Sequence, residues 1–383
     1  MKVMLTHRST VDRVGGVATF IFELADAFIR MGHEVSVLTF SSSINAESVK
    51  RIYHVENAPR IISLKRFEQS DYWPPRGSSL KDLSIWFVRG SKVIIKEKPD
   101  LVIINGIVPL IKSPNTTYVA VVHQICHHLT DLSSISLMGL RILYDTIPDF
   151  IVAITNREKR CLIKYLGIES IVIPLCINTR KYKISKLEER EKIILHVGVF
   201  GPKNLETTLK VFTSICSKDK SVKLYIVGGY DDNHMKLFRN IVKDDDCKNR
   251  VTFTGRISRE RLTGLYSRSR ILIAPSFYES FSYVSLEAQA SGTPVVVSNA
   301  IPPEAVIDGV TGFKIPDPKD VCSFREKVLA LLEDDILYEE MSKNARKHAE
   351  KLDCIVIAKK YLEVLKKHEA NLDAIHSMID AKL

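Results

Sequence analysis

The sequence predicts an α/β protein made of two doubly wound, Rossmann-like domains. Its 383 residues exceed what one hydrophobic core normally holds, because cores stop growing at roughly 250–300 residues. Apolar runs of strand length alternate with helical patterns along the chain, which indicates parallel sheets covered by helices. A polar, charged stretch at 177–192 separates two such series. We therefore predict a first domain at 1–180, a second at 181–345 and a C-terminal helical region at 346–383.

The first domain opens with a complete βαβ unit. An apolar run at 2–6 precedes a loop that ends at Gly15-Gly16, then a helix at 17–31 with one apolar face and a strand at 35–39. Such a crossover joins parallel strands. The glycine pair lets backbone amides approach an oxyanion closely. Further strands of this domain are predicted at 101–106, 118–122, 150–154 and 171–174.

The second domain repeats this arrangement. A strand at 192–198 ends in Gly198 and leads through Lys203 to a helix that Asn204 caps. Further strands are predicted at 224–227, 251–254, 271–274 and 294–298. Helical patterns fill the gaps, so a second parallel sheet is expected.

One stretch of the second domain, 274–294, carries the clearest chemistry. It reads APSFYESFSYVSLEAQASGTP, with a strand before it, a polar turn, and a helix at 284–290. Glu279 lies in the turn and Glu287 lies in the helix. Open α/β sheets bind ligands at the carboxyl ends of their strands, where helix N-termini favour anions and carboxylates accept hydrogen bonds from hydroxyls. A diphosphate joined to sugar and ribose hydroxyls fits this combination.

This stretch resembles the signature of family 4 retaining glycosyltransferases, which have the GT-B fold, at Pro275-Ser276, Glu279-Ser280-Phe281, Glu287-Ala288 and Ser291-Gly292-Thr293-Pro294-Val295. The resemblance implies an enzyme that moves a hexose-type sugar from a nucleotide-diphosphate sugar to a glycan or lipid-linked saccharide. It also implies that the two domains face one another across a cleft, and that the C-terminal helical region crosses back toward the first domain.

The resemblance also implies roles for individual residues. Glu279 would hold hydroxyls of the transferred sugar, and Glu287 would hold the ribose hydroxyls. Lys203 and the backbone amides of 281–283 would neutralise the diphosphate, while His123 would meet the sugar near its reactive carbon. The expected catalytic residues are His123, Lys203 and Glu279, and the expected donor-binding residues are Gly15, Gly16, Arg256, Ile257, Phe281, Ser282, Tyr283 and Glu287. No base and no bound metal are implied.

Three positions depart from the family pattern. Val199 stands where the family has an arginine that contacts the diphosphate, and Ser280 and Ser282 stand where glycines are usual. A missing cation would slow the reaction unless Arg256 or Arg8 compensates. Two other classes therefore stay open: a nucleotide-sugar-binding partner subunit with weak or no catalysis, and a sugar-nucleotide epimerase or hydrolase on the same scaffold.

The chain is basic, with a formal net charge of +10 and a pI of about 9.1. Residues 50–98 contain 11 basic and 5 acidic residues, and they include a predicted amphipathic helix at 85–98. No motif that reads nucleic acid accompanies this charge. An anionic membrane surface or a lipid-phosphate acceptor is one interpretation, and a solvated face is the other.

Cysteine, histidine and aspartate patterns favour neither a disulfide framework nor a metal centre. The odd number of seven cysteines, with no Cys-x-x-Cys, indicates a reducing compartment. The group Cys126-His127-His128 lacks a carboxylate at ligand spacing. Asp244-Asp245-Asp246 follows a polar stretch, so we expect a solvated loop. With no signal peptide and no membrane-length apolar run, the expected location is the cytoplasm, with peripheral membrane contact as an option.

Overall fold

The computed structural model describes residues 1–7, 11, 15–40, 44–64, 80–126 and 133–366. The chain divides into two compact units. The first is Met1–Cys176 together with the described residues from Cys354 onward, and the second is Ile177–Asp353. The division thus falls at 176/177 and 353/354, where the sequence suggested 180/181 and 345/346.

The first unit contains a seven-stranded sheet in which every neighbouring pair is parallel. The strand order is β3-β2-β1-β4-β5-β6-β7. Its elements are β1 Lys2–His7, α1 Gly16–Arg30, β2 Glu34–Thr39, α2 Ala46–Tyr53, β3 Arg60–Ser63, α3 Leu80–Ile85, a π-helical turn Trp86–Gly90, α4 Ser91–Glu97, β4 Leu101–Asn105, β5 Thr117–Val122, α5 Ser134–Thr146, β6 Phe150–Ala153, α6 Asn156–Cys161, a π-helical turn Leu162–Leu166 and β7 Ile171–Val172.

The second unit contains a six-stranded parallel sheet with the order β10-β9-β8-β11-β12-β13. Its elements are β8 Glu191–Val197, α7 Leu205–Cys216, β9 Lys223–Val227, α8 Asp232–Ile241, α9 Asp245–Lys248, β10 Val251–Gly255, α10 Arg259–Arg268, β11 Ser269–Ala274, α11 Tyr283–Ala290, β12 Val295–Ser298, β13 Gly312–Ile315, α12 Val321–Glu333 and α13 Asp335–Lys351. A final helix, α14 at 354–366, groups with the first unit.

Each unit has its own core between sheet and helices. All residues of β4 and β5 are buried, as expected for central strands covered on both faces. In the second unit, aliphatic residues of β8, β9 and β11 pack against Leu209 and Phe212 of α7. The prediction of two doubly wound α/β domains is confirmed.

Both sheets reverse their strand order at one point, between β1 and β4 in the first unit and between β8 and β11 in the second. The loops that leave neighbouring strands on either side of such a point open a crevice at the carboxyl ends of the strands. In the second unit these are the loops that carry Lys203 and Glu279. The topology alone therefore makes this edge the first place to look for a ligand site.

Several elements differ from the sequence-based expectation. The strands β3 and β13 were not predicted, because each has only four residues and lacks a long apolar run. The helical segment expected at 85–98 begins earlier, at Leu80, and contains the π-helical turn. Asp244 caps the short helix α9 rather than lying in a loop. The stretch DYWPPRG at 71–77 is predicted to be a loop from its prolines and glycine, and it lies outside the described residues.

The prediction that the cysteines form no disulfide framework was wrong. Two disulfides join Cys126 to Cys161 and Cys216 to Cys247, across Cα–Cα distances of 5.5 and 5.8 Å. The partners are 35 and 31 residues apart, and the fold brings them together, so their spacing in the sequence carried no signal. Cys176, Cys322 and Cys354 are free thiols. The cysteine count therefore gives no support for a reducing compartment.

Within the part of the chain that the structure describes, no helix has both the length and the apolar character needed to cross a bilayer.

Candidate functional site

Lys203 and Glu279 form an ion pair at the strand-order reversal of the second sheet. Lys203 follows β8 and Glu279 follows β11, and the Nζ of Lys203 donates to Oε1 of Glu279. Both side chains are largely but not fully buried, with 24% and 13% of their surfaces exposed. The sequence predicted both residues, and the fold brings them into direct contact.

Backbone and side-chain contacts hold these two loops together. The amide of Phe277 donates to the carbonyl of Pro202 over 2.7 Å, which links the loop after β11 to the loop after β8. Ser276 Oγ donates to Oε1 of Glu279 over 3.3 Å. Gly198 provides the space for Lys203, since an added Cβ would lie 3.2 Å from Lys203 Cε.

The start of α11 supplies the backbone amides expected at a diphosphate site. The first amides of an α-helix have no partner inside the helix and carry its positive dipole end. Phe281 is buried and anchors the turn. Ser282 is the N-cap residue and has φ +87°, in the left-handed region that favours glycine. Its Oγ lies 2.8 Å from Ser285 Oγ, so the serine keeps a local hydrogen bond in this strained conformation. Tyr283 is the first helical residue.

Glu287 is buried on α11 and is held by two donors from α10. Arg259 Nη1 donates to Oε1, and the hydroxyl of Tyr266 donates to Oε2 over 2.8 Å. Burial, followed by the charge of Glu287, raises the pKa of Tyr266 well above its usual value, so this phenol remains a donor at neutral pH. The carboxylate thus has a fixed orientation and a positive partner.

The position of the missing family arginine is filled by a core residue. Val199 is buried and packs with the core of the second unit, and its Cγ2 would lie 3.1 Å from a Cβ added at Gly228. Arg256 is exposed, and its Nε lies 3.4 Å from the Cβ position of Gly229. Arg256 therefore lies over the loop after β9. Arg8 lies outside the described residues.

In the first unit, a series of hydrogen bonds through Asn105 fixes the ring of His123. Its Nε2 lies 2.9 Å from Asn105 Oδ1, and Asn105 Nδ2 donates to the carbonyl of Thr6 over 3.1 Å. The oxygen of the amide therefore faces the ring, and Nε2 of His123 carries the proton. Burial, together with the charge of His7, lowers the pKa of His123 to about 3. The imidazole is neutral at physiological pH and presents Nδ1 as an acceptor.

The remaining predicted residues lie at the same edges of the two sheets. Gly15 is the N-cap of α1 and Gly16 is its first residue, both exposed and with extended backbone at Gly15. Ile257 lies in the short connection between β10 and α10. The structure thus brings Lys203 and Glu279 into contact and places Glu287 on the adjoining helix, whereas Gly15, Gly16 and His123 belong to the other unit.

Among the described residues, no group of three or more His, Cys, Asp or Glu side chains could hold a metal ion.

Comparison with known proteins finds two family models that adjoin. Residues 178–348 match the model described as "Glycosyl transferases group 1", and residues 14–181 match "Glycosyltransferase Family 4". HepE of Anabaena, solved in complex with UDP-glucose, superposes with a TM-score of 0.70 at 16% identity, covering 96% of this chain and 100% of HepE. The chain is therefore a glycosyltransferase of group 1 by family, and it has the GT-B fold.

Two curated relatives show the range of similarity. A D-inositol 3-phosphate glycosyltransferase of Corynebacterium efficiens is 29% identical over 164 residues, which are 41% of this chain and 38% of the relative. The match thus spans well under half of that protein's length. The O-antigen chain mannosyltransferase RfbU of Salmonella typhimurium is 26% identical over 303 residues, which are 76% of this chain and 81% of the relative.

Sequence reasoning missed the residues that support the predicted ones. Arg259 and Tyr266 hold Glu287 from 28 and 21 positions away, and Asn105 holds His123 from 18 positions away. An arginine and a tyrosine on a polar helix carry no recognisable spacing signal. Asn105 had a weak sequence signal, because it is a polar residue at the end of an otherwise apolar strand.

Proposed function

We propose that the chain is a retaining glycosyltransferase of family 4, which moves a hexose from a nucleotide-diphosphate sugar to a glycan or lipid-linked saccharide. The observation that carries the proposal is the Lys203–Glu279 pair at the strand-order reversal of the second sheet, with Glu287 held on the adjoining helix. The cation and the helix amides match the diphosphate of such a donor, and the two carboxylates match its hydroxyls.

In the proposed reaction the bond between the sugar and the diphosphate breaks, and negative charge grows on the leaving oxygen. Lys203 and the first amides of α11 stabilise this charge, which is the largest contribution expected from the protein. Glu279 accepts hydrogen bonds from the sugar hydroxyls. When the donor binds, Lys203 shares its charge between Glu279 and the phosphate, so the ion pair prepares the position of the ammonium group.

The acceptor hydroxyl gives its proton to the leaving phosphate oxygen, so no separate base is needed. His123, which is neutral with a proton on Nε2, presents an acceptor nitrogen to the sugar rather than a proton donor. We propose that transfer proceeds without a bound metal, because Lys203 and the helix amides supply the positive charge. The donor-bound state of HepE and the name of the mannosyltransferase relative support a nucleotide-sugar donor and a saccharide acceptor.

The test is turnover of a panel of nucleotide sugars, with and without lipid-linked and free saccharide acceptors. NMR would read the anomeric configuration of the product. Transfer with the configuration of the donor retained supports the proposal, and inverted products contradict the retaining mechanism. Acceptor-independent epimerised or hydrolysed sugar would instead identify an epimerase or hydrolase.

A second candidate, a nucleotide-sugar-binding subunit with little catalysis, is favoured by Val199. Its buried side chain leaves this loop with Lys203 as its cation, so the leaving group receives less stabilisation than in the usual family pattern. Tight nucleotide-sugar binding without turnover, on any acceptor, would favour this candidate.

We also propose that the helical segment 80–97 contacts an anionic membrane, where a lipid-linked acceptor would lie. Phe87, Val88 and Ile95 expose 46%, 62% and 41% of their surfaces, so this one short segment carries three exposed large apolar side chains. Arg89, Lys92 and Lys96 are exposed on the same segment. Apolar side chains beside cations are typical of helices that lie at a bilayer surface, and each basic residue adds about 1 kcal/mol near anionic lipid.

Vesicle sedimentation tests this contact. Neutralising Lys92, Lys96 and Lys98 to glutamine should weaken binding to vesicles of anionic lipid, while the same change at the exposed lysines 236, 343 and 347 should not. Equal binding of both variants would remove the proposed contact. The proposed location is the cytoplasm, at the inner face of the membrane, and it stays a prediction.

A further inference from the structure

The carboxylate of Glu287 already accepts hydrogen bonds from two protein side chains, so its orientation is fixed before any ligand binds. Glu287 is 2% exposed, and each of its oxygens already receives one hydrogen bond, from Arg259 at Oε1 and from Tyr266 at Oε2. A carboxylate accepts about four hydrogen bonds in all, two at each oxygen. One acceptor position therefore remains on each oxygen.

We propose that Arg259, together with Tyr266, is a positioning residue that presents these two remaining acceptor positions to the vicinal hydroxyls of a ribose. The inference rests on the proposed function, in which Glu287 holds the ribose. Two adjacent hydroxyls match two acceptor positions on one fixed carboxylate. The site then selects ribonucleotides over 2′-deoxyribonucleotides, because a missing hydroxyl leaves one buried acceptor position unfilled.

The structure shows why Arg259 is suited to this role. It is the first residue of α10, which begins at the N-cap Ser258, and its side chain is 18% exposed, so it reaches Glu287 from the edge where the donor is proposed to bind. A charged, forked guanidinium fixes the orientation of a carboxylate better than an ammonium does. It also provides the positive charge that a buried carboxylate needs.

Tyr266 is anchored independently of any ligand. It lies near the other end of α10, and its carbonyl accepts hydrogen bonds from Thr293 Oγ1 over 2.7 Å and from Arg190 Nη1 over 3.3 Å. Arg190 also donates to the carbonyl of Ser291, at the end of α11. The two helices that hold and carry Glu287 are therefore tied at their far ends. Loss of Arg259 should change the orientation of the carboxylate without unfolding this region.

The experiment measures the binding of UDP and GDP, each in the ribo and 2′-deoxy form, by calorimetry. The variants are Arg259→Met, Arg259→Lys and Glu287→Gln. Arg268→Met is the matched control, because Arg268 lies on the same helix but pairs with Glu191 at the surface. A thermal melt confirms that each variant is folded.

The wild type and Arg268→Met should bind the ribonucleotide at least about tenfold more tightly than its 2′-deoxy form, the scale of one good hydrogen bond to a charged group. Arg259→Met should reduce this ratio to about twofold, with Arg259→Lys in between. A folded Arg259→Met variant that keeps the wild-type ratio overturns the inference. If Glu287→Gln also keeps the wild-type affinity and ratio, the ribose role of Glu287 fails with it. If no nucleotide binds the wild type, the proposed function itself fails.

Discussion

The Lys203–Glu279 pair combines two roles that are usually separate, because each residue is both a proposed ligand contact and the counter-ion of the other. Removing Lys203 leaves Glu279 without its cation, and the reverse change leaves Lys203 without its anion. Lys203→Ala and Glu279→Ala should each lower transfer by at least about 10²-fold, the scale of one lost electrostatic group. Initial rates with a nucleotide-sugar donor measure this effect. Near-normal rates in both variants would show that the site is assigned to the wrong residues.

Ser282 allows a test of backbone strain. At ordinary positions alanine is more stable than glycine by roughly 0.4–1 kcal/mol, but at positive φ the order reverses because the Cβ clashes with the backbone. Since Ser282 has φ +87°, Ser282→Gly should be more stable than Ser282→Ala by about 1 kcal/mol in urea denaturation. The control is Ser280, which does not have a positive φ and should show the usual order. If Ser282→Ala is instead more stable than Ser282→Gly, the backbone at this position is not strained.

Some residues of the candidate site could be predicted from the sequence, and others could not. Glu279, Glu287 and Lys203 were found because they belong to short local patterns at the ends of apolar strands. Arg259 and Asn105 were not found, because their contacts depend on how neighbouring strands and helices lie side by side. Val199 was identified as a substitution, but only the structure shows that its side chain belongs to the core.

At the scale of elements, the two disulfides each tie secondary-structure elements that are far apart in sequence. Cys126–Cys161 joins the segment after β5 to the end of α6, and Cys216–Cys247 joins the end of α7 to α9. In the denatured protein without reductant, an alkylating reagent should label three cysteines, Cys176, Cys322 and Cys354, and all seven after reduction. Mass spectrometry counts the labels. Seven labels without reductant would mean that the disulfides do not form.

The strand β8 contains a buried histidine that should make stability depend on pH. His196 is bonded to Thr208 of α7, and burial, as the main cause, lowers its pKa to about 4 from 6.5. The unfolded state therefore binds a proton between pH 6.5 and 4 that the folded state excludes. The stability is complete above pH 6.5 and decreases as the pH falls toward 4, by at most about 1.4 kcal/mol per pH unit for this group. His196→Gln should make the decrease less steep in denaturation curves at pH 5, 6 and 7. An unchanged slope would contradict this origin.

Long elements were predicted better than short ones. The central strands were recognisable as continuous apolar runs, because strands covered on both faces need apolar residues at every position. The edge strand β3 was missed, since it has only four residues and none of them is fully buried. The amphipathic helix predicted at 85–98 corresponds to the helical segment 80–97 of the structure. The exposure of Phe87 and Val88 depends on which helix face packs on the sheet, and this was not evident from the pattern.

At the scale of the whole chain, the two sheets with reversing strand order explain why the predicted ligand residues gather where they do. In the second unit, β8 and β11 are neighbours in the sheet although 71 residues lie between Val197, where β8 ends, and Ser269, where β11 begins. Each unit therefore has a crevice at the edge of its sheet. The crevice of the second unit is the one formed by the loops and the helix that carry Lys203, Glu279 and Glu287. The family and fold comparisons agree with this organisation.

The position of a bound nucleotide-diphosphate sugar, determined in an experimental structure of the protein, tests the proposed donor site most directly. The diphosphate is expected at hydrogen-bond distance, about 3 Å, from Lys203 Nζ and the first amides of α11. Sugar hydroxyls are expected on Glu279 and ribose hydroxyls on Glu287. A donor bound elsewhere, with no contact to these three side chains, would contradict the proposed donor site.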